Sequence, residues 1–323
     1  MERAYLGNTG IRVSKIVLGC GNFGGIGSSP AFFGRGESRD DAFAIMDAAW
    51  EAGITTFDTA DAYGGGRSES WIGDWLRTKG SAVRDGIVLS TKTFNPMDDG
   101  EDHGLAPQRV KRQLESSLQR LGVDHVQMYL THEPDPDVPI VETLGAFDEL
   151  VRDGKVGAIG ASNVDGAQLR DALATAPGAR YEWVQNSYSL LDRAAEQEVL
   201  PQCAEAGLGF TPFSPLAGGW LTGKYARGAA APAGSRMTQR PEPYAHFLED
   251  DAVWRGLDGL ARAAEARGTS QAALAIAWLL GDERVTAVVV GPRRPEHLEP
   301  ALVALERPAT PAERDELARG FAR

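Results

Sequence analysis

Short apolar segments recur along the chain, and between them apolar residues recur every three or four positions. The short segments predict eight strands, at residues 16–19, 55–58, 87–91, 126–131, 156–162, 183–186, 208–213 and 285–290. The longer spacing predicts helices, with good examples at 40–53, 107–122, 139–154 and 270–281. Proline suits a first helical turn and glycine suits the residue after a helix, as at Pro107, Pro139, Gly53, Gly122, Gly154 and Gly281.

Eight strands that alternate with helices favour parallel pairing through right-handed crossovers. This predicts a (β/α)₈ TIM barrel that includes residues 1–323 in a single domain, since no linker divides the chain. An open doubly wound sheet is the alternative topology. Residues 4–14 predict a small N-terminal hairpin. The low-complexity stretch 226–247 predicts a long loop after the seventh strand, which we expect to act as a lid over a ligand.

Composition narrows the possible partners and compartment. A formal charge of −12 argues against nucleic-acid binding, which depends on clustered Lys and Arg. Cys20 and Cys203 are the only cysteines, so we expect a reducing compartment and neither a disulfide framework nor a thiolate metal site. The N-terminus has no apolar signal core, and no apolar run is long enough to span a membrane. We therefore expect a cytoplasmic protein.

Gly19, Gly21 and Gly24 form a G-x-G-x-x-G array directly after the first predicted strand. This array indicates a Rossmann-type dinucleotide site only when a helix begins at the third glycine, because the phosphate lies at the helix N-terminus. The next residues, 25–36, are too rich in Gly, Ser and Pro to begin a helix. Any nucleotide must therefore bind by other means.

Polar side chains follow the predicted strands, and the carboxyl ends of barrel strands form the active site. The first to appear are Asp58, Tyr63, Lys92 and His132. The later strands end at Ser162, Asn163, Gln185, Asn186, Phe213, Ser214 and residues 291–294. Each residue alone also suits an inert turn, cap or surface position. Lys92, however, follows β-branched residues, so we expect it to be partly buried with Asp58 as its counter-ion.

The expected pair of Lys92 and Asp58 predicts that Tyr63 can act as an acid. An ammonium group beside a phenol favours the phenolate and lowers the phenol pKa, so Tyr63 becomes a candidate proton donor. A neutral His132 is suited to orient a carbonyl oxygen by hydrogen bonding. No side chain can donate a hydride, and this predicts a reduced nicotinamide alongside.

Seven segments in order resemble the aldo-keto reductases: FDTADAYGGGRSE (57–69), LSTKT (89–93), MYLTHEPD (128–135), GASN (160–163), QNSYSLLDR (185–193), PFSPLAGGWLTGKY (212–225) and VVGPRRPEHLE (289–299). The resemblance covers nearly the whole chain. It implies a (β/α)₈ barrel that binds NADP(H) in an extended form without a Rossmann fold. It also implies reduction of an aldehyde or ketone, keto-sugars included, to the alcohol.

The resemblance assigns residues position by position. It implies a catalytic tetrad of Asp58, Tyr63, Lys92 and His132, with Tyr63 as general acid. It implies contacts to the nicotinamide end from Gly21, Asn22, Phe23, Ser162, Asn163, Gln185 and the ring of Phe213. It implies contacts on the pyrophosphate side from Ser214, Leu216, Gly218, Lys224 and Arg236. It implies contacts to the adenosine end from Gly291, Arg293 and His297.

The chain also departs from the family pattern. Members commonly carry Glu-Asn where this chain has Pro300 and Ala301, which affects adenine contacts. Arg293 and Arg294 suit a 2′-phosphate, and this favours NADPH over NADH. The aromatic residues that are candidates for a substrate pocket, or else for core or surface positions, are Phe23, Phe32, Phe33, Trp71, Phe94 and Trp220.

Two other functions fit parts of the sequence. The run HEPDPD (132–137) suggests a metal-dependent barrel hydrolase, although of the five histidines only His132 follows a strand. The chain also resembles, more distantly, the β-subunits of potassium channels, which bind a nicotinamide cofactor and act as binding partners. Those subunits have Asn at the position of His132, so the histidine here favours turnover.

Overall fold

The computed structural model describes residues 1–100, 102–176 and 178–322. An antiparallel hairpin of β1 (Arg3–Tyr5) and β2 (Arg12–Ser14) precedes the main sheet, as predicted. Eight parallel strands follow: β3 (Ile16–Gly19), β4 (Thr56–Asp58), β5 (Val88–Thr93), β6 (Val126–Thr131), β7 (Val156–Ser162), β8 (Tyr181–Gln185), β9 (Gly209–Phe210) and β10 (Val288–Val290). Each pairs with the next along the chain, and β10 pairs with β3.

Backbone hydrogen bonds also close the sheet between β9 and β10. The amide of Thr286 donates to the carbonyl of Phe210 at 2.8 Å, and the amide of Val289 donates to that of Pro212 at 2.9 Å. The strands therefore form a (β/α)₈ barrel, and the open doubly wound alternative is wrong. The predicted seventh strand, 208–213, is reduced to the two residues of β9 because Pro212 has no N–H to donate.

The helices surround the barrel: α1 (Arg39–Glu51), α2 (Arg67–Arg77), α3 (Ser81–Gly86), α4 (Pro107–Leu121), α5 (Ile140–Arg152), α6 (Gly166–Thr175), α7 (Val199–Ala206), α8 (Arg236–Gln239), α9 (Asp251–Arg267), α10 (Gln271–Leu280), α11 (Glu299–Glu306) and α12 (Pro311–Gly320). The predicted bounds hold within two residues. Pro107 begins α4, and Gly122 ends it with φ of 68°. Pro139 is the N-cap of α5 and lies just before its first turn.

The hairpin covers the N-terminal end of the barrel. Its Leu6 and Val13 join a buried apolar cluster with strand residues that include Val17, Met128 and Trp183. Gly7 allows this close approach, because a Cβ there would lie within 3 Å of backbone atoms of residues 182, 207 and 209. With this end filled, the opposite end of the barrel is where a ligand can enter.

Two loops stand at that open end. After Gly19 the chain forms an irregular loop with one 3₁₀ turn (Pro30–Phe32) before α1 begins, so no helix opens at Gly24 and the Rossmann reading fails as predicted. The second loop joins β9 to α9 and contains 3₁₀ segments at Ala217–Thr222 and Ala245–Glu249 beside α8. None of the described helices is long and apolar enough to cross a membrane.

Candidate active site

A cleft of about 1790 Å³ lies across the carboxyl ends of the barrel strands. The predicted site residues line it with four exceptions: Lys92 is fully buried beneath it, and Phe23, Asn186 and Arg294 are not part of its lining. Tyr63 and His132 stand at one part of the cleft, and Lys224, Arg236 and Arg293 stand at another. The structure therefore brings the predicted residues together around one continuous space.

Lys92 connects the acidic and phenolic groups of the site. Its Nζ donates to Asp58 Oδ2 at 2.6 Å, to the carbonyl of Thr59 at 2.9 Å and to Tyr63 Oη at 3.3 Å. Burial opposes the charge on Lys92, but the Asp58 carboxylate and the Tyr63 hydroxyl together outweigh it, and the pKa of the ammonium is raised. The predicted ion pair exists, and Lys92 remains a cation beneath the phenol.

Asp58 is held on its other side as well. Its Oδ1 accepts hydrogen bonds from Ser90 Oγ at 2.5 Å and from Gln185 Nε2 at 3.1 Å. The role of Ser90 was not predicted, although a residue two positions before Lys92 on a strand points to the same side. Because one N–H of the Gln185 amide is used by Asp58, its second N–H and its Oε1 are left for a ligand.

The net pKa shift predicted for Tyr63 is wrong. Burial raises the pKa of its hydroxyl, and although Lys92 lowers it, the result lies above the ordinary value of 10. The sequence does not reveal how far the phenol is removed from water. Tyr63 is therefore protonated at neutral pH, which is the form that a proton donor requires.

His132 lies beside Tyr63, with ring centroids 5.3 Å apart and planes at 79°. Its backbone is fixed, because its amide donates to the carbonyl of Thr93 at 2.9 Å and its carbonyl accepts from Asn163 Nδ2 at 2.9 Å. Burial and the charge of Lys92 hold the pKa of His132 well below its usual value, so the ring is neutral. Within the described residues its buried Nδ1 has no hydrogen-bond partner.

The amide groups above the barrel suit a carboxamide ligand. Asn163 has a left-handed backbone (φ 57°), and its Nδ2 also donates to Glu133 Oε1 at 3.1 Å. This leaves Asn163 Oδ1, like Gln185 Oε1, as an acceptor in the cleft. The hydroxyl of Ser162 donates to the backbone carbonyl of Gln185 at 2.7 Å, so its proton is used within the barrel.

The opposite part of the cleft suits an anion. Ser214, Ala217, Gly218 and Gly219 all have positive φ, and the chain turns sharply there. Lys224 and Arg236 form no ion pair among the described residues. The pKa of each is lowered by burial and by neighbouring cations. Clustered cations that have no ion-pair partner among the described residues, beside an amide-lined space, fit a dinucleotide.

The residues predicted to contact the adenosine of the cofactor have partners within the protein that the sequence did not predict. Arg293 is tied to Glu37, with Nε to Oε1 at 2.5 Å, and its amide donates to His297 Nδ1 at 3.3 Å. Arg294 is exposed. Where family members commonly carry Glu-Asn, Pro300 lines the cleft and Ala301 is fully buried in the core.

For the six aromatic candidates, the structure favours core or surface positions over a substrate pocket. Phe23 and Trp220 are core residues, and none of the six candidates lines the cleft. Phe23 does not lie beside the cofactor space, because its ring packs into the interior. The sequence did not single out other residues that line the cleft, among them Ile26, Ser28, Ser29, Pro30, Asn95, Pro96 and Glu133. No pattern in the sequence around these positions announced them.

The acidic run after His132 has a structural use. Asp135 accepts hydrogen bonds from the amides of Leu105 and Asp137. In the described parts of the chain, no group of three or more His, Cys, Asp or Glu residues could hold a metal ion. The geometry gives no support to a metal-dependent hydrolase.

Comparison with known proteins identifies the family. The model of the Aldo/keto reductase family matches residues 15–319. The uncharacterized oxidoreductase YrpG of Bacillus subtilis (strain 168) is 39% identical over 318 residues, which cover 95% of this chain and 91% of that protein. A probable voltage-gated potassium channel subunit beta of Oryza sativa subsp. japonica is 34% identical, covering 95% and 92%. The NADH-specific methylglyoxal reductase of Escherichia coli (strain K12) is 32% identical, covering 94% of each. The chain therefore belongs to the aldo/keto reductase family of nicotinamide-dependent oxidoreductases.

Proposed function

We propose that the protein reduces an aldehyde or ketone, keto-sugars included, to the alcohol with NADPH, and that Tyr63 donates the proton. The observation that carries this proposal is the contact of Lys92 Nζ with both Asp58 and Tyr63 at the base of the cleft. A protonated phenol backed by a buried ammonium is suited to give its proton to a developing alkoxide.

Each residue of the tetrad has a distinct task. Tyr63 hydrogen-bonds the substrate carbonyl oxygen and transfers its proton, and Lys92 stabilises the phenolate that remains. Asp58 keeps Lys92 charged and in place through the 2.6 Å ion pair. Neutral His132 donates a hydrogen bond that orients the carbonyl oxygen. When bound, the reduced nicotinamide supplies the hydride that no side chain can provide.

The remaining cleft residues would hold the cofactor. Asn163 and Gln185 offer acceptor oxygens for the carboxamide, and Phe213 offers a ring face. Lys224 and Arg236 supply positive charge for the pyrophosphate. Arg293 and Arg294 are the groups that would favour a 2′-phosphate, so we expect NADPH to bind more tightly than NADH.

A binding subunit with little turnover is the second candidate, because one relative is named as a probable potassium channel subunit beta. His132 weighs against it, since its neutral ring lies beside Tyr63 and completes the polar site around the expected carbonyl oxygen. Turnover separates the two functions, because both require cofactor binding.

The test combines binding and turnover. Fluorescence titration measures the Kd of NADPH and of NADH, and a panel of small aldehydes, ketones and keto-sugars is assayed by NADPH oxidation. We expect a lower Kd for NADPH and oxidation with at least one carbonyl class. Equal affinities would contradict the NADPH preference. Binding without oxidation across the panel would favour the subunit.

A further inference from the structure

A buried carboxylate already occupies Arg293. Glu37 lies in the loop between β3 and α1, and its side chain is 4% exposed. Its Oε1 accepts from Arg293 Nε at 2.5 Å, and Arg293 Nη1 donates to the carbonyl of Gly234 at 2.5 Å. A guanidinium binds an oxyanion in bidentate fashion through Nε with Nη2 or through Nη1 with Nη2. Because Arg293 Nε and Nη1 are both hydrogen-bonded within the protein, each of these two pairs of donors is already partly used.

The other oxygen of this carboxylate is not used by the described part of the protein. Glu37 Oε2 is buried and has no hydrogen-bond partner among the described residues, and it lies in the field of Arg236. In the part of the chain described, the Arg236 side chain donates only to Asn22 Oδ1, at 2.9 Å, and Lys224 has no carboxylate partner. In the cluster of Lys224, Arg236 and Arg293, only Arg293 is paired with a carboxylate among the described residues, and two positive charges have no such partner.

We propose that Glu37 limits the preference for NADPH over NADH by competing with the 2′-phosphate for Arg293. The inference rests on the proposed function, since it concerns the cofactor of that site. The positive charges of Lys224 and Arg236 match the two negative charges of the pyrophosphate, which NADPH and NADH both carry. The additional phosphate must displace Glu37 from Arg293 or bind beside its negative charge, and either costs free energy.

The competing structural reading is that Glu37 only fastens the β3–α1 loop to the end of β10. Under that reading, loss of the carboxylate disorders Arg293 and weakens both cofactors. The two readings give opposite signs for the change in NADPH affinity, so a binding measurement separates them.

The experiment measures the Kd of NADPH and of NADH by fluorescence titration in the full-length protein, in Glu37→Gln, in Arg293→Met and in the double variant. We expect Glu37→Gln to tighten NADPH about tenfold and to change NADH less than about twofold. In the Arg293→Met background the same change should leave the ratio of the two constants unaltered. Such a cycle isolates the coupling between the two residues.

Glu283→Gln is the control, because this exposed carboxylate precedes β10 and does not line the cleft. We expect it to leave the ratio unchanged, which separates competition at Arg293 from a general loss of negative charge. Glu37→Asp, which retains the charge but shortens its reach, should give an intermediate ratio if Glu37→Gln fails to fold.

The inference is overturned if Glu37→Gln weakens NADPH, or if it leaves the ratio unchanged while Arg293 is present. An equal effect of Glu37→Gln in the Arg293→Met background would overturn it too. A wild-type protein that binds neither dinucleotide would instead contradict the proposed function, and the inference with it. The titration therefore distinguishes the two failures.

Discussion

Gln185 and Asp58 are hydrogen-bonded across the barrel, from Nε2 to Oδ1 at 3.1 Å. The two residues stand at the ends of β8 and β4, so one bond links the amide-lined space to the tetrad. Asp58 receives a further bond from Ser90 and the ammonium of Lys92. The carboxylate that orients Lys92 therefore has little freedom to move, and the phenol beside it is held in a defined place.

Tyr63→Phe tests the proton donor. The change keeps the ring but removes the hydroxyl, so turnover should fall by about 10²–10⁴ while the Kd of NADPH barely changes. Single-substrate kinetics and fluorescence titration measure the two effects. Tyr181→Phe is the control, because it removes a buried barrel hydroxyl that lies outside the cleft. A folded Tyr63→Phe protein that reduces its best substrate at the original rate would refute the assignment.

The rate of reduction should also report the ionisation of Tyr63. Because its pKa lies above 10 in the protein, reduction by the wild type should stay constant through neutral pH and decline only at strongly alkaline pH. The ammonium of Lys92 lowers the pKa of Tyr63, so Lys92→Met should move the decline to still higher pH. A pH profile of kcat measures both, and a decline that begins near pH 8 in the wild type would contradict this.

Lys92→Met and Asp58→Asn separate the effect of the Lys92 charge from the effect of its placement by Asp58. Lys92→Met removes the ammonium and leaves the Asp58 carboxylate buried without its cation, so it should lower turnover and cost about 3–5 kcal/mol of stability. Asp58→Asn should reduce turnover less, because it loosens Lys92 without touching the donor. Urea unfolding and kcat check both, with exposed Lys155→Met as control. An Asp58→Asn effect larger than that of Lys92→Met would contradict the order.

The loop 219–250 should act as a lid. Three contacts tie it to other cleft loops: Arg236 Nη2 to Asn22 Oδ1, Arg240 Nη1 to the carbonyl of Ile26, and Arg293 Nη1 to the carbonyl of Gly234. NADPH should protect its amides from hydrogen exchange and leave the hairpin 3–14 unchanged. Arg240→Met should speed cofactor release in stopped-flow experiments. Identical exchange in this loop with and without NADPH would leave it a plain insertion.

Asp61 should make stability depend on pH. Burial, followed by the nearby Glu69 carboxylate, raises the pKa of Asp61 to about 7 from an ordinary 3.8. The folded protein therefore binds this proton more tightly than the unfolded chain, and stability is lost as pH rises from about 4 to 7. Asp61→Asn should remove this loss and raise the free energy of unfolding at pH 8 by a few kcal/mol, on the order expected from linkage.

Urea unfolding at pH 5 and pH 8 measures the difference, with exposed Asp124→Asn as the control. Subtracting the pH dependence of the unfolding free energy of the variant from that of the wild type leaves the contribution of Asp61, because the other titrating groups are common to both proteins. If the free energy of unfolding changes between pH 5 and pH 8 as much in Asp61→Asn as in the wild type, the pKa of Asp61 is not raised in the folded protein.

Much of the fold follows from local pattern. Segments 16–19, 126–131 and 156–162 are strands with the predicted bounds, because buried parallel strands are continuous apolar runs. The proximity of Asp58, Tyr63, Lys92 and His132 follows from topology, since strand ends meet at one face of a barrel, whereas their assignment as a tetrad is what the family resemblance implies. Neither inference requires knowledge of how any side chain is oriented.

What could not be predicted depends on orientation and burial. Phe23 turns into the core, although its neighbour Asn22 lines the cleft. The sign of the Tyr63 pKa shift depends on the balance between burial and Lys92. The pairing of Glu37 with Arg293 joins residues from opposite ends of the chain, and no local pattern announces it.

Closure of the barrel has a consequence for the order of folding. Val288 pairs with Ile16, so the first and the last barrel strands must find each other across nearly the whole chain. Until they do, β3 and β10 are unpaired sheet edges, which are prone to pair with other chains. Contacts of such long separation form slowly. The walls of the cleft at Gly21 and Gly291 are assembled by the same step, and a chain truncated before β10 would therefore lack both a closed sheet and a cofactor site.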